Sequence, residues 1–215
     1  MKRQNRLFEE IAAYGNIRLA FLKAIRGKRS TAEVLLFCRD VDARLNEIRT
    51  RLLSEPVRWG EYRCFTITDP KKRTISAAPL EDRIIHHAIM NILEPLFERQ
   101  MIYHNYACRK GKGMHSAVAY AFSKCKGTVW FLKLDIRKYF DSVNHEVLKT
   151  TLRRILKDKK TLRLLDGVID SYGKTPGTGI PIGNLTSQFF GNLYLSPLDH
   201  FKNSKMRSIL PRLVQ

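Results

Sequence analysis

An α+β fold is predicted by three features of the 215-residue chain. Apolar residues recur at helical spacing over most of its length. A few short stretches alternate apolar and polar residues at a period of two and read as strands between those helices. No internal repeat, low-complexity tract or interdomain linker interrupts the pattern.

Residues 5–25 carry a loose helical pattern that ends in the basic break Gly27 to Arg29. Ser30 or Thr31 then caps a long helix expected to reach about Leu53, with Val34, Cys38, Val41, Leu45, Ile48 and Leu52 as its apolar stripe. "EYRCFTIT" and "RTISAA" read as two short strands joined by "DPKK", a turn signal with cations at its tip. Pro79 opens the next helix, whose 3.6-residue period is carried by Ile84, Ile85, Ala88, Ile89, Ile92, Leu93, Leu96 and Phe97. "NYACRKGKG" is a glycine-broken basic loop before a short helix from His115 to about Cys125.

Next, Trp130, Leu132, Leu134 and Ile136 alternate with Phe131, Lys133 and Asp135. This predicts a half-buried strand with the Asp135 carboxylate on the face opposite the apolar one. Asn144 caps a helix through Leu156, and another runs from Thr161 to about Tyr172. "GKTPGTGIPIGN" is a loop, and a final helix begins near Asn184 and continues through "LTSQFFGNLYLSPLDHF".

Composition narrows the function class. Hydrophobic content of 44% with 27% charged residues belongs to a folded chain. The balance of 39 Lys and Arg against 20 Asp and Glu gives a net charge of +19, which favours polyanions, with nucleic acid the default partner. Cys38, Cys64, Cys108 and Cys125 form no C-x-x-C pair, so free thiols in a reducing compartment are expected. His86 and His87 are adjacent, point about 100° apart on a helix and cannot jointly grip one metal ion. No stretch approaches a membrane span or a signal peptide, so a cytoplasmic location is expected.

Three places can carry chemistry. Asp135, at a strand end, either caps a turn and pairs with Arg137 or Lys138, or serves as a hard oxygen ligand for Mg²⁺ shared with substrate phosphates. "DPKKRT" and "RKGKG" put cations on a turn and on a glycine loop, where they either are solvated or clamp phosphates. Neither is a P-loop, and "GTGIPIG" is not a dinucleotide fingerprint, because its third glycine comes one residue late.

Taken together and in order, "RTISAAPLEDRIIHHAIMNILEPLFE", "YACRKGKGMHSAV", "FLKLDIRKYFDSVNHEVL" and "GIPIGNLTSQFFGNLYLSPLDHF" resemble the first sequence blocks of bacterial reverse transcriptases of the group II intron and retron type. "IGNLTSQ" resembles the enzymes of diversity-generating retroelements. The resemblance covers roughly residues 60–201 and implies a right-hand polymerase lacking its thumb. Residues 1–55 would be an N-terminal helical extension, 56–127 the fingers, 128–201 a partial palm and 202–215 an aberrant tail.

By that resemblance Asp135 is a catalytic Mg²⁺ ligand beside the Ile136 carbonyl, and Phe140 is the bulky residue that excludes a ribose 2′-hydroxyl. Arg73, with Lys72 or Lys71, grips the incoming dNTP. Gly183 lets backbone approach the nucleotide and template, and Ile182 stands where many relatives carry glutamine. Arg109, Lys110, Lys112 and Gln188 would touch the RNA template and DNA primer. The family pattern next requires an aspartate pair, which occurs nowhere in this sequence. The implied chain is therefore inactive alone, as a fragment, as the product of a reading frame broken near residue 202, or as one part of a split enzyme completed by a downstream or accessory polypeptide; the alternative is a noncatalytic RNA-binding, maturase-like module.

Overall fold

The computed structural model describes residues 6–68, 71–127, 129–173 and 175–205, with side chains through residue 201. Its N-terminal part holds α1 (Phe8–Ile11), α2 (Tyr14–Ala24), α3 (Ala32–Phe37) and α4 (Val41–Leu53). The single long helix expected over 31–53 is thus two. Asp40 breaks it by turning its carboxylate onto the N–H of Ala43 at 3.2 Å, which starts α4 with a new cap. The break also turns Cys38 to solvent and leaves Phe37 to continue the buried stripe from Val34.

The strands β1 (Arg63–Thr68) and β2 (Lys72–Ala77) form an antiparallel hairpin in the register Arg63↔Ala77 to Thr68↔Lys72. It projects from the body: β1 is exposed throughout, and β2 is buried only near its base, at Ser76. Residues 69 and 70 of the expected turn lie outside the described residues.

Helix α5 (Leu80–Glu98) comes next, with Pro79 at its N-cap, as the periodicity predicts. Its apolar face is the centre of the molecule: Ile84, Ile85, Ala88, Ile89 and Leu93 are fully buried. Helix α2 lies along it, fixed at its first turn by Asn16, whose Nδ2 donates to the carbonyls of Ile11 and Ala88, each at 3.0 Å. Helix α6 (Met114–Cys125) is peripheral and buries only Ala117.

After α6 the expected strand over 130–136 does not form. Residues 130–136 are irregular, and Trp130, Phe131 and Leu134 are 89%, 83% and 65% exposed. The cause is pairing. A strand needs a neighbour for its N–H and C=O groups, and among the described residues the hairpin is the whole of the sheet structure. The chain then turns through Lys138, at φ 50°, into the short helix α7 (Tyr139–Ser142).

Helix α8 (His145–Ile155) is capped by Asn144, whose side chain accepts from the Val147 N–H at 3.1 Å. Helix α9 (Lys159–Asp170) is capped by Asp158, and α10 (Leu185–Lys205) closes the described chain. One apolar core joins α1–α5 to α8, α9 and α10, so the stretch from Leu7 to Leu52 shares its core with the helices beyond the hairpin. Residues 206–215 of the expected tail lie outside the described residues. No helix among the described residues is long and apolar enough to cross a membrane.

Candidate active site and nucleic-acid surface

The glycine-rich loop between α9 and α10 is the keystone of the site. On one side it is fastened to the segment after Asp135. Ile180 N–H donates to the Phe140 carbonyl at 2.9 Å and Gly179 N–H to the Val143 carbonyl at 2.8 Å. His145, which is buried, adds its own N–H to the Gly177 carbonyl at 2.9 Å and places Nε2 2.7 Å from the Gly179 carbonyl.

On the other side the loop meets the hairpin. Ser76 N–H donates to the Ile182 carbonyl at 2.9 Å, so the loop continues the edge of β2 by one backbone bond. Gly183 sits at φ +118°, and a Cβ there would stand 2.8 Å from Ile75 Cγ2, so only glycine fits this approach. Below it, Asn184 Nδ2 donates to the Tyr62 hydroxyl at 3.2 Å, and the Ser76 hydroxyl donates to Tyr172 at 3.3 Å. Burial pushes the Tyr62 phenol above its ordinary pKa, so it stays a neutral partner here.

The expected residues therefore fall into two groups. Ile182, Gly183 and Phe140 are drawn to one loop, and β2 carries Lys72 and Arg73 away from it on the exposed tip of the hairpin. Phe140 is half-buried, its ring 5.6 Å from that of Tyr139, and Tyr139 Oη donates to the Gly191 carbonyl of α10 at 2.6 Å. Asp135 and Ile136 are exposed in the irregular segment five and four residues before it. No three His, Cys, Asp or Glu side chains among the described residues converge as a metal group would require. Asp135 and the Ile136 carbonyl are hard oxygen donors of the right chemistry for Mg²⁺, but too few to hold two ions.

The basic loop before α6 lies where the sequence places it, and the structure adds the partners of its cations. Arg109 is not a free cation. Its guanidinium meets the Glu98 carboxylate through Nε at 2.7 Å and Nη2 at 2.6 Å, and Nη1 meets the carbonyls of Ile102 at 2.8 Å and Asn105 at 3.0 Å. Four of its five N–H groups thus bracket the loop, and one on Nη2 is left over. Lys110 is exposed, and Lys112 donates to the Tyr103 carbonyl. Gln188 is exposed on the first turn of α10. Sequence reasoning misses Ser76, His145 and Arg109 as organisers, because each acts through contacts distant in sequence.

Residues 68–209 match the family of reverse transcriptases (RNA-dependent DNA polymerases), which is more than half of the chain. The chain belongs to the reverse transcriptase family. Among its relatives is the COX1/OXI3 intron 1 protein of Saccharomyces cerevisiae, 26% identical over 166 residues, 73% of this chain and 20% of that protein. Nuclear intron maturase 1, mitochondrial, of Arabidopsis thaliana is 29% identical over 46% of this chain and 16% of its own length. The group II intron-encoded protein LtrA of Lactococcus lactis subsp. cremoris is 28% identical over 61% of this chain and 23% of its own length. This reverse transcriptase chain thus spans about a fifth of each of these relatives. Arg73, Asp135, Phe140 and Gly183 all lie inside the family match.

Proposed function

We propose that this chain forms the fingers, over 56–127, and part of the palm, over 128–201, of an RNA-directed DNA polymerase from a retroelement. The "IGNLTSQ" block supports the diversity-generating kind. The observation that carries the reading is the loop at Gly179–Gly183. Within the family match it bonds both to β2, the strand of Arg73, and to Phe140, five residues past Asp135. In the reaction a primer 3′-hydroxyl attacks the α-phosphate of a dNTP, forming a phosphodiester and releasing pyrophosphate. Lys72 and Arg73 hold the triphosphate by charge, Gly183 lets backbone approach the base pair, and Phe140 excludes the ribose 2′-hydroxyl. Mg²⁺, when bound, would offset the charge on the phosphate oxygens, with Asp135 and the Ile136 carbonyl as two of its donors.

Further carboxylates and strands that pair with 129–136, on the same polypeptide or on a second one, complete the site in this reading. Residues 1–215 alone are then expected not to extend a primer on an RNA template with Mg²⁺ or Mn²⁺. Extension by this chain that is lost in Asp135→Ala would overturn that account. In the completed enzyme Phe140→Ala should raise ribonucleotide use relative to dNTP use; an unchanged ratio in a folded variant removes Phe140 from the gate.

A noncatalytic, maturase-like RNA-binding role is the second reading, favoured by the match to an intron maturase and by the charge of +19. It is separated from the first by adding the complementary polypeptide. Asp135-dependent synthesis supports the polymerase, whereas RNA binding with no synthesis supports the binding module.

A further inference from the structure

The loop between α5 and α6 carries a stack of rings that the polymerase reading does not use. His104 lies flat on Tyr120 of α6, with centroids 4.1 Å apart and planes 25° apart. Tyr103 and His104 form a T-shaped pair with centroids 5.1 Å apart and planes 89° apart, and Tyr103 is 73% exposed. Lys112 Nζ sits 3.9 Å from the Tyr103 ring centroid and 5.5 Å from that of Tyr106, and Lys124 Nζ lies 5.7 Å from that of Tyr120. Partial burial, then Lys112 and Lys124, hold the His104 pKa below its ordinary value, so at neutral pH its ring stacks without charge.

The loop beneath these rings is fixed in place. Arg109 brackets it to Glu98, and Asn192 of α10 donates to the Ala107 carbonyl at 2.7 Å. A rigid loop that leaves a flat ring in water, backed by an ammonium, has already lost the entropy that a ligand would otherwise have to remove. Lys112 uses one donor on the Tyr103 carbonyl, and an ammonium has three.

We propose that the open face of Tyr103 is a stacking seat for an unpaired base of single-stranded nucleic acid, with Lys112 and Lys124 meeting the neighbouring phosphates. Stacking on an aromatic face beside cations is how chains hold single strands without reading their sequence, because every base has a π-face. A protein partner fits less well, since the ring's neighbours are cations and the whole chain is strongly basic. The inference rests on the proposed nucleic-acid function and adds a site outside the loop at Gly179–Gly183.

The test is fluorescence anisotropy of residues 1–215 with labelled oligouridine, labelled oligothymidine and an abasic strand of the same length. Tyr103→Ala should weaken the base-bearing strands about 5- to 150-fold and the abasic strand by no more than about twofold. Tyr103→Phe should keep binding, and Lys124→Ala should weaken all strands alike with a shallower salt dependence. The uridine and thymidine arms tell an RNA seat from a DNA seat. Because Tyr103 is exposed, its variants should melt with the wild type. Equal loss on base-bearing and abasic strands, or no loss, overturns the stacking seat alone and leaves the ring to a protein contact or the loop's own packing. No wild-type binding to any strand at low salt overturns the nucleic-acid reading and the seat with it.

Discussion

His86 shows at one residue how this core constrains charge. It is 1% exposed, neither ring nitrogen has a hydrogen-bond partner, and the Trp59 ring is its aromatic neighbour at 5.8 Å. Burial, then His87 and Arg51, push its pKa down to about 3. The unfolded chain takes this proton near pH 6.5 and the folded chain only near pH 3, so stability is complete above 6.5 and falls as pH drops toward 3. The loss from this group is about 1.4 kcal/mol per pH unit within that window. His87, lowered to about 4 mainly by burial, adds to the slope. His86→Met should therefore flatten the dependence of urea stability on pH by about one proton's worth. It should also raise neutral-pH stability by about 1–2 kcal/mol by removing two unpaired polar atoms. An unchanged slope would mean that His86 is protonated in the folded state. Gly183 makes the complementary case. Gly183→Ala should cost about 1–2 kcal/mol, read by urea unfolding, because it adds both a disfavoured φ and the contact with Ile75. The sequence block singles out Gly183, but the Ile75 contact that requires a glycine there shows only in the fold, and the same holds for the partners of Arg109. A charge count sees a cation, but the Glu98 and carbonyl partners that engage it appear only after the loop folds back.

Among the elements, α5, α8, the hairpin and α10 were readable because each carries its own signal: periodicity, an asparagine cap, or a turn between alternating runs. The break between α3 and α4 was not, since the apolar stripe runs on across it and one carboxylate decides the matter. The junction of α1 with α9 was equally hidden. Asp158 Oδ2 accepts from the N–H groups of Leu7 at 2.6 Å and Phe8 at 2.9 Å, and Oδ1 from those of Lys160 at 3.0 Å and Thr161 at 3.2 Å. One carboxylate thus caps two helices about 150 residues apart in sequence. Burial raises its pKa, but the N–H groups of Phe8, Thr161 and Leu7 together outweigh that and leave it below the ordinary value. The clamp is therefore fully present above the unfolded pKa near 4 and weakens only as pH falls through the lower folded value. Asp158→Ala should destabilise the chain by about 2–4 kcal/mol, since several buried N–H groups lose a charged acceptor at once. Backbone hydrogen exchange should rise first at residues 7 and 8. A loss no larger than one ordinary cap, with no change at those amides, would show that α1 is held by its apolar face alone.

At the scale of the molecule, one core holds α1–α5, α8, α9 and α10 together, and the segment carrying Asp135 stands outside it. The alternation over 130–136 is real in the sequence, but it specifies a strand only where another strand can take its backbone bonds. Among the described residues none does, so Trp130, Phe131 and Leu134 meet water, and α6 adds exposed Met114, Val118 and Phe122 at one-turn spacing. An exposed run of this composition is a template for pairing with other chains. Residues 1–215 should therefore self-associate, and Phe131→Lys with Leu134→Lys should reduce that association without shifting the thermal midpoint. Sedimentation velocity beside a melting curve checks both. Trp130 gives an independent reading, because its indole is exposed whereas that of Trp59 is half-buried. Iodide should quench it readily in the chain alone and poorly once a polypeptide supplying the paired strands is added. If the double lysine variant instead melts at lower temperature, and Trp130 is already shielded, the segment is packed onto this chain's own core. The Asp135 carboxylate would then be fixed without a second polypeptide.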